Sequence, residues 1–288
     1  MQVLVIGRSG QVAQAMQERG AALDGVTITA RGRPDVDIAD PASLARAIEE
    51  VAPDVVVNAA AYTAVDAAED DEATAHSFNA EGPGALAALC AQKNLPFVHI
   101  STDYVFDGTL DRPYREDDPT GPMGAYGRTK LAGEAAVLAS GARALILRTA
   151  WVYSPFGKNF VKTMLRVGAE RDQLKVVADQ RGNPTSALDI ADAILALAAQ
   201  RERWPAGAHV YHMAGGGEAT WHAFAEAIFA EAGLSPQVLA ITTQEFPTPA
   251  RRPANSRLDG TRLATDFGVR LPDWQPSLAT VVARLKAG

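Results

Sequence analysis

Four apolar residues, Val3-Leu4-Val5-Ile6, run straight into Gly7-Arg8-Ser9-Gly10 and then into the amphipathic pattern Gln11–Arg19. A short, wholly apolar strand of this kind is buried on both faces, and a glycine turn that opens a helix directly after it begins a strand–helix–strand unit. Gly7 suits the tight turn, and Gly10 lets backbone amides approach a pyrophosphate at the helix N-terminus. Ala13, where a third glycine often stands, is still small enough for close helix–strand packing. The same texture recurs down the chain. Candidate strands at Thr27–Ala30, Val55–Asn58, Phe97–Ile100 and Leu145–Arg148 alternate with helical segments at Pro41–Val51, Ala73–Gln92 and Tyr126–Leu138. This alternation predicts an α/β fold with a doubly wound parallel sheet, whose ligands sit beyond the carboxyl ends of the strands.

After Thr149 the pattern changes to helices near Asn159–Ala169, Leu188–Gln200 and Trp221–Ala232, one strand at Val210–Met213, and the Pro-rich tract Phe246–Pro253. The expected division is a Rossmann-type dinucleotide-binding domain over residues 1–150 and a smaller substrate lobe over 151–288, with segments of the latter returning to the former. The 288 residues are 47% hydrophobic and 21% charged, enough to bury a substantial core. A net charge of −7 leaves no basic field, so nucleic acid is not an expected partner. The lone Cys90 excludes an intrachain disulfide framework and suits a reducing compartment. No run reaches the ~18 apolar residues of a membrane span, and no basic-then-apolar leader is visible. A soluble, cytoplasmic protein with no membrane partner is expected.

The chemistry-bearing residues stand at the ends of the candidate strands. After the second comes Ala30-Arg31-Gly32-Arg33, with no carboxylate until Asp35. An acidic residue there favours a free ribose 2′-hydroxyl and an arginine a 2′-phosphate, so Arg31 points to NADPH, with NADH left open; a solvated surface pair is the plainer alternative. Asp37 and Ile38 follow, within reach of an adenine. The third strand ends in Asn58-Ala59-Ala60-Ala61-Tyr62-Thr63, small residues that let a cofactor lie close to the backbone. The fourth ends in Ser101-Thr102-Asp103, and Tyr126 and Lys130 follow at i,i+4 spacing on one helix face. A phenol of pKa ~10 is a poor acid–base group near neutrality. A neighbouring ammonium lowers that value, its remaining donors hold ribose hydroxyls, and Thr102 adds a hydrogen bond at the reacting oxygen.

Together these elements, with Asn58–Asp66 (NAAAYTAVD), Ser101–Phe106 (STDYVF), Tyr126–Glu134 (YGRTKLAGE), Arg148–Tyr153 (RTAWVY), Asn159–Leu165 (NFVKTML) and Thr248–Leu258 (TPARRPANSRL), resemble the extended short-chain dehydrogenase/reductase family over essentially the whole chain. The strings are most similar to its reductases of dTDP-linked 4-keto-deoxysugars. The resemblance implies that Tyr126 protonates the C4 oxygen while NAD(P)H delivers hydride to C4. It implies that Lys130 binds the nicotinamide ribose and depresses the Tyr126 pKa, and that Thr102, Asp103 and Trp151 contact the sugar nucleotide. Gly10, Gln11 and Val12 would hold the pyrophosphate, Asp37 and Ile38 the adenosine end, and Ala61, Tyr62 and Thr63 the nicotinamide side.

Members of the family place a carboxylate just after the glycine loop and use acidic residues for an interfacial magnesium ion. Here Ala13 and Ala15 fill that helix and Leu188 precedes Asp189, so neither a metal site nor a magnesium-bridged dimer is expected. A plain homodimer is the default assembly. Arg251-Arg252 would fork onto the diphosphate of the sugar nucleotide, or be a solvated pair. Asn159 beside Lys158 would cap the next helix. The acidic run Glu69–Glu72 reads as a solvated helix start. Two rival functions share the motifs: a nucleotide-sugar epimerase or dehydratase, disfavoured because Asp103-Tyr104 replaces the expected Glu pair, and a non-catalytic NADP-binding regulatory subunit.

Overall fold

The computed structural model describes residues 1–287. At its centre is a six-stranded, all-parallel sheet. Its strands are β1 (Gln2–Ile6), β2 (Thr27–Arg31), β3 (Val55–Asn58), β4 (Phe97–Thr102), β5 (Ala144–Thr149) and β6 (Ala208–His212), in the order β6-β5-β4-β3-β1-β2. The main helices are α1 (Gln11–Ala21), α2 (Pro41–Val51), α3 (Gly82–Gln92), α4 (Ala125–Ala139), α5 (Phe160–Glu170), α6 (Ala187–Ala199), α7 (Trp221–Ala232) and α8 (Trp274–Ala287).

Alternate side chains of each strand feed two cores. Val3, Val5, Val55, Val57, Leu145 and Leu147 pack with α1, α6 and α8. Leu4, Ile6, Val56, Phe97 and Ile146 pack with α2, α3 and Val137 of α4. Two buried faces explain why the strands read as unbroken apolar runs. Cys90, on α3, is wholly buried in the second core, and burial pushes its thiol up to about 12. Because β1 lies between β2 and β3, the chain reverses direction across the sheet there, and a crevice opens at the carboxyl ends of β1 and β3.

The predicted helix Ala73–Gln92 is broken. It comprises a short helix Glu72–His76, a wide turn Ser77–Glu81 and α3. Pro83 has no N–H for the carbonyl of Asn79, and the ladder widens so that Gly82 N–H bonds Ser77 O. Residues beyond 150 return to the first layer: β6 closes the sheet beside β5, and α6 packs against α1. The rest forms a lobe in which strands Gln173–Val177 and Gln237–Ile241 pair in parallel under α5 and α7, over Leu174, Val176, Ala225 and Phe229. Neither strand is expected from the sequence. Both are short and only partly covered, Gln173–Val177 alternating in burial and Gln237–Ile241 not, a weak signal beside the continuous runs of the central sheet. No helix of the described residues is long and apolar enough to cross a membrane.

Candidate active site

Two recesses meet over the carboxyl ends of β1 and β3. The first, about 230 Å³, is lined by Gly7, Arg8, Gly32, Arg33, Asp37, Ile38 and Phe78 among others. The second, about 600 Å³, takes in Gln11, Val12, Thr63, Thr102, Asp103, Tyr126, Lys130, Thr149 and Trp151. Ser9, Gly10, Ala59, Ala60 and Ala61 line both, so the two form one cleft. Gly7 adopts φ +125°, and a Cβ there would press on the backbone of Ala59. Gly10 caps α1 without any side-chain cap, and the first turn carries no acidic residue. The amides of Gln11 and Val12 therefore face the cleft with the helix dipole behind them, which fits a pyrophosphate. A glycine floor, a positive helix end and a recess at each side fit a dinucleotide.

Arg31 is not among the residues around the first recess. It ends β2 with its carbonyl bonded to Gly7 N–H at 2.7 Å, and the arginines that line the recess are Arg8 and Arg33. Arg33 stacks 5.2 Å over the Phe78 ring. Tyr62 also departs from expectation. Asn79 clamps its backbone, accepting from Tyr62 N at 2.8 Å and donating to Tyr62 O at 3.1 Å, and Tyr62 packs against the cluster of Ala68, Ala75 and Ala125 rather than lining the cleft. Ala61 and Thr63 do line it.

Thr102, Tyr126 and Lys130 are brought together on one wall. A buried cluster fixes their frame: Ser101 Oγ donates to Glu134 at 2.5 Å, and Arg148 grips the same carboxylate at 2.9 and 2.6 Å, tying the end of β4 to α4 and β5. Asn79 Nδ2 donates to Thr129 at 3.1 Å, which joins the catalytic helix to the loop at Tyr62. Thr102 Oγ1 donates to Asp103 Oδ1 at 3.0 Å and accepts from the backbone N–H of Tyr104 at 3.2 Å. Asp103 is 3% exposed, and burial pushes its carboxyl up to about 6. Its Oδ2, like Thr149 Oγ1, is buried with no partner. Both residues line the cleft, where a ligand hydroxyl would complete them.

The expected lowering of the Tyr126 pKa is outweighed by burial. Lys130 Nζ donates to Ile100 O at 2.7 Å, and burial brings its own value down to about 8. Burial pushes the Tyr126 phenol above its ordinary range, opposed by the Thr102 hydroxyl. The phenol is therefore fully protonated at neutral pH, the form needed to donate.

Trp151 lines the cleft with a left-handed backbone, φ +47°, and stacks on Trp221 at 3.5 Å between ring centres. Arg251 and Arg252 both border a separate cavity of about 720 Å³ that shares no residue with the cleft, and Arg252 also bonds Asp66 Oδ2 at 2.8 Å and Tyr104 OH at 3.1 Å. Lys158 lines the cleft, and Asn159 caps α5 through Lys162 N. Gln11 Oε1 accepts from Asn159 at 3.0 Å and from Ser154 at 2.8 Å, fastening this loop to the glycine turn. Ala13 and Ala15 are buried, and no group of three or more His, Cys, Asp or Glu among the described residues could hold a metal.

The sequence reading did not single out Asn79, His99, Glu134, Arg148 or Thr149. The available signal was polarity out of place: His99 interrupts an apolar strand, and Arg148 ends another.

The family model described as RmlD substrate binding domain matches residues 1–287. A dTDP-4-dehydrorhamnose reductase of Burkholderia thailandensis is 49% identical over 99% of both chains. That of Sinorhizobium fredii is 46% identical over 98% of this chain and 97% of its own. Among solved structures, a Clostridium acetobutylicum dTDP-4-dehydrorhamnose reductase superposes with a TM-score of 0.93 at 38% identity, covering 99% of this chain and 100% of that one. The Bacillus anthracis enzyme in complex with NADP gives 0.92 at 33% identity over 98% and 99%. With a full-length family match and relatives of this identity, the chain belongs to the RmlD substrate-binding-domain family, that of the dTDP-4-dehydrorhamnose reductases.

Proposed function

We propose that the protein reduces the C4 ketone of dTDP-4-dehydro-L-rhamnose to dTDP-L-rhamnose, the last step in forming that sugar nucleotide, with NADPH as the preferred reductant. The observation that carries this reading is the single wall formed by Thr102, Tyr126 and Lys130 inside a cleft continuous with the glycine-floored recess. Residues 1–150 are assigned to the cofactor and 151–288 mainly to the sugar nucleotide, with α6 and β6 returning to the first layer.

A nicotinamide cofactor bound in the cleft supplies the hydride to C4. Gly10, Gln11 and Val12 offer backbone amides to its pyrophosphate, and Arg8 and Arg33 take a ribose 2′-phosphate where Arg31 does not. Tyr126, protonated at neutral pH, gives its proton to the developing C4 oxyanion, and Thr102 holds that oxygen and the phenol in line. Lys130 holds ribose hydroxyls and stabilises the phenolate left behind. Asp103 Oδ2 and Thr149 Oγ1 accept and donate to sugar hydroxyls, and Trp151 covers a ring face.

The test follows absorbance at the nicotinamide band with purified protein, dTDP-4-dehydro-L-rhamnose and either NADPH or NADH. Stoichiometric oxidation, faster with NADPH, is expected. Cofactor binding with no oxidation would favour a regulatory role or another keto sugar, and retained cofactor with no net oxidation an epimerase. Absence of any nicotinamide binding would end the reading.

A further inference from the structure

Lys130 meets its carbonyl partner beside a histidine that no step above uses. His99, fully buried in β4, places Nε2 3.4 Å from Lys130 Nζ and Nδ1 3.1 Å from Asn58 Nδ2. The direction of the second contact is fixed. Asn58 Oδ1 already accepts from the backbone N–H of Ala60 at 3.1 Å, so the amide presents its NH2 to the ring and Nδ1 is the acceptor. A neutral imidazole that accepts at Nδ1 carries its proton on Nε2. Burial and the neighbouring lysine keep the ring neutral, well below the usual histidine range. Nε2–H therefore points at Lys130 Nζ. A free amine accepts that proton; an ammonium opposes donor to donor.

Few other groups act on Lys130. From its own helix come Tyr126, neutral and one turn before, and Glu134, one turn after. Glu134 favours the ammonium through space while its oxygens stay committed to Arg148 and Ser101. From β4 come the Ile100 carbonyl and His99, and from β3 the uncharged Asn58 behind the ring. Asp103, beyond the end of β4, acts on Tyr126. His99 is thus the titratable side chain found within hydrogen-bond distance of Nζ among the described residues.

We propose that His99 is a positioning residue for the reduction: with its tautomer fixed by Asn58, its Nε2–H sets the charge of Lys130 and so the alkaline limit of the reaction. The proposal rests on reading Tyr126 and Lys130 as the reacting pair. The ammonium, not the amine, stabilises the phenolate left after proton transfer, so activity declines as pH rises through the Lys130 midpoint. An acceptor in place of Nε2–H moves that midpoint upward. His99→Gln supplies one, since its carboxamide reaches a similar height and can turn its oxygen to Nζ.

The tautomer is read first, from long-range proton–nitrogen spectra of the cofactor-free protein labelled with ¹⁵N-histidine. The expected result is a neutral Nε2–H ring at His99 from about pH 6 to about pH 9. A proton on Nδ1, or titration within that range, overturns the proposal without any variant having to fold. The Cε resonance of Lys130, assigned by its loss in Lys130→Arg, is then titrated in wild type and His99→Gln. Its midpoint should rise by about one pH unit in the variant, and the alkaline limb of kcat/KM should move with it. A folded His99→Gln with an unmoved midpoint, or a limb that moves while the midpoint does not, also overturns it. Both resonances are read without turnover, so absence of reductase activity would sink the functional reading and leave this test standing.

Discussion

Arg252, near the end of the Pro-rich tract, donates to Asp66, just past β3, at 2.8 Å, and the backbone N–H of Ala250 reaches the other carboxylate oxygen at 3.2 Å. The Pro-rich tract is thereby latched onto the dinucleotide layer, with Tyr104 as a third partner whose ring meets Tyr126 edge-on at 5.5 Å.

Arg252→Ala should therefore act on the sugar nucleotide rather than on the cofactor. The latch is half-exposed, so its loss costs below about 1 kcal/mol of stability. The unfastened loop should raise KM for the sugar nucleotide roughly tenfold, equivalent to about 1.4 kcal/mol, and leave the NADPH Kd unchanged. Steady-state kinetics beside cofactor titration separates the two, and an unchanged KM would reduce the latch to a surface contact.

Tyr126→Phe removes the proton donor and keeps the ring in its packing with Tyr104 and the Ala68, Ala75 and Ala125 cluster. Turnover should fall roughly 10²–10⁴-fold with cofactor affinity intact. Near-wild-type turnover would transfer the proton-donor role elsewhere.

Cofactor choice should follow the arginines that border the recess. Arg33→Ala should weaken NADPH roughly tenfold and NADH little, because only the former carries a 2′-phosphate to fork. Arg31→Ala, at a position whose backbone carbonyl makes the structural bond, should change neither. Equal losses for both cofactors in Arg33→Ala would rule out 2′-phosphate recognition by that residue.

Asp103 sets a pH signature on stability. Its carboxyl is raised from 3.8 to about 6 by burial, so the folded chain holds an extra proton between those values. Stability contributed by this group is therefore present at low pH and lost as pH rises towards 6; above that the buried charge costs about 3 kcal/mol. Asp103→Asn should raise the Tm by several degrees at pH ~8 and by little near pH ~4. It should also slow turnover, because Asn keeps the shape but not the acceptor pair. A Tm difference independent of pH would contradict the assigned cause.

The central sheet was legible because its strands are buried on both faces and bounded by glycine or small residues, as at Ile6-Gly7 and Asn58-Ala59. Val55–Asn58 and Pro41–Val51 match residue for residue. Tyr126 and Lys130 were legible because helical spacing is a local property. What needed coordinates was anything decided between elements. Lys130 donates to a carbonyl of β4, Arg252 is bound by Asp66, and Arg33 rather than Arg31 borders the recess. The break before α3 was written in Gly82-Pro83-Gly84, but the apolar periodicity of Ala73–Gln92 runs across it and hides it.

Cys90 gives the molecule a built-in clock. A single thiol, sealed beneath the sheet with its pKa pushed up to about 12, is shielded from alkylation while the dinucleotide layer is closed and becomes reactive when that layer opens. One label per chain then counts openings directly, with no engineered probe. Any ligand that binds only the closed form must slow the labelling by the factor 1 + [L]/Kd. The affinities of cofactor and sugar nucleotide can thus be read as delays in the modification of a residue that touches neither.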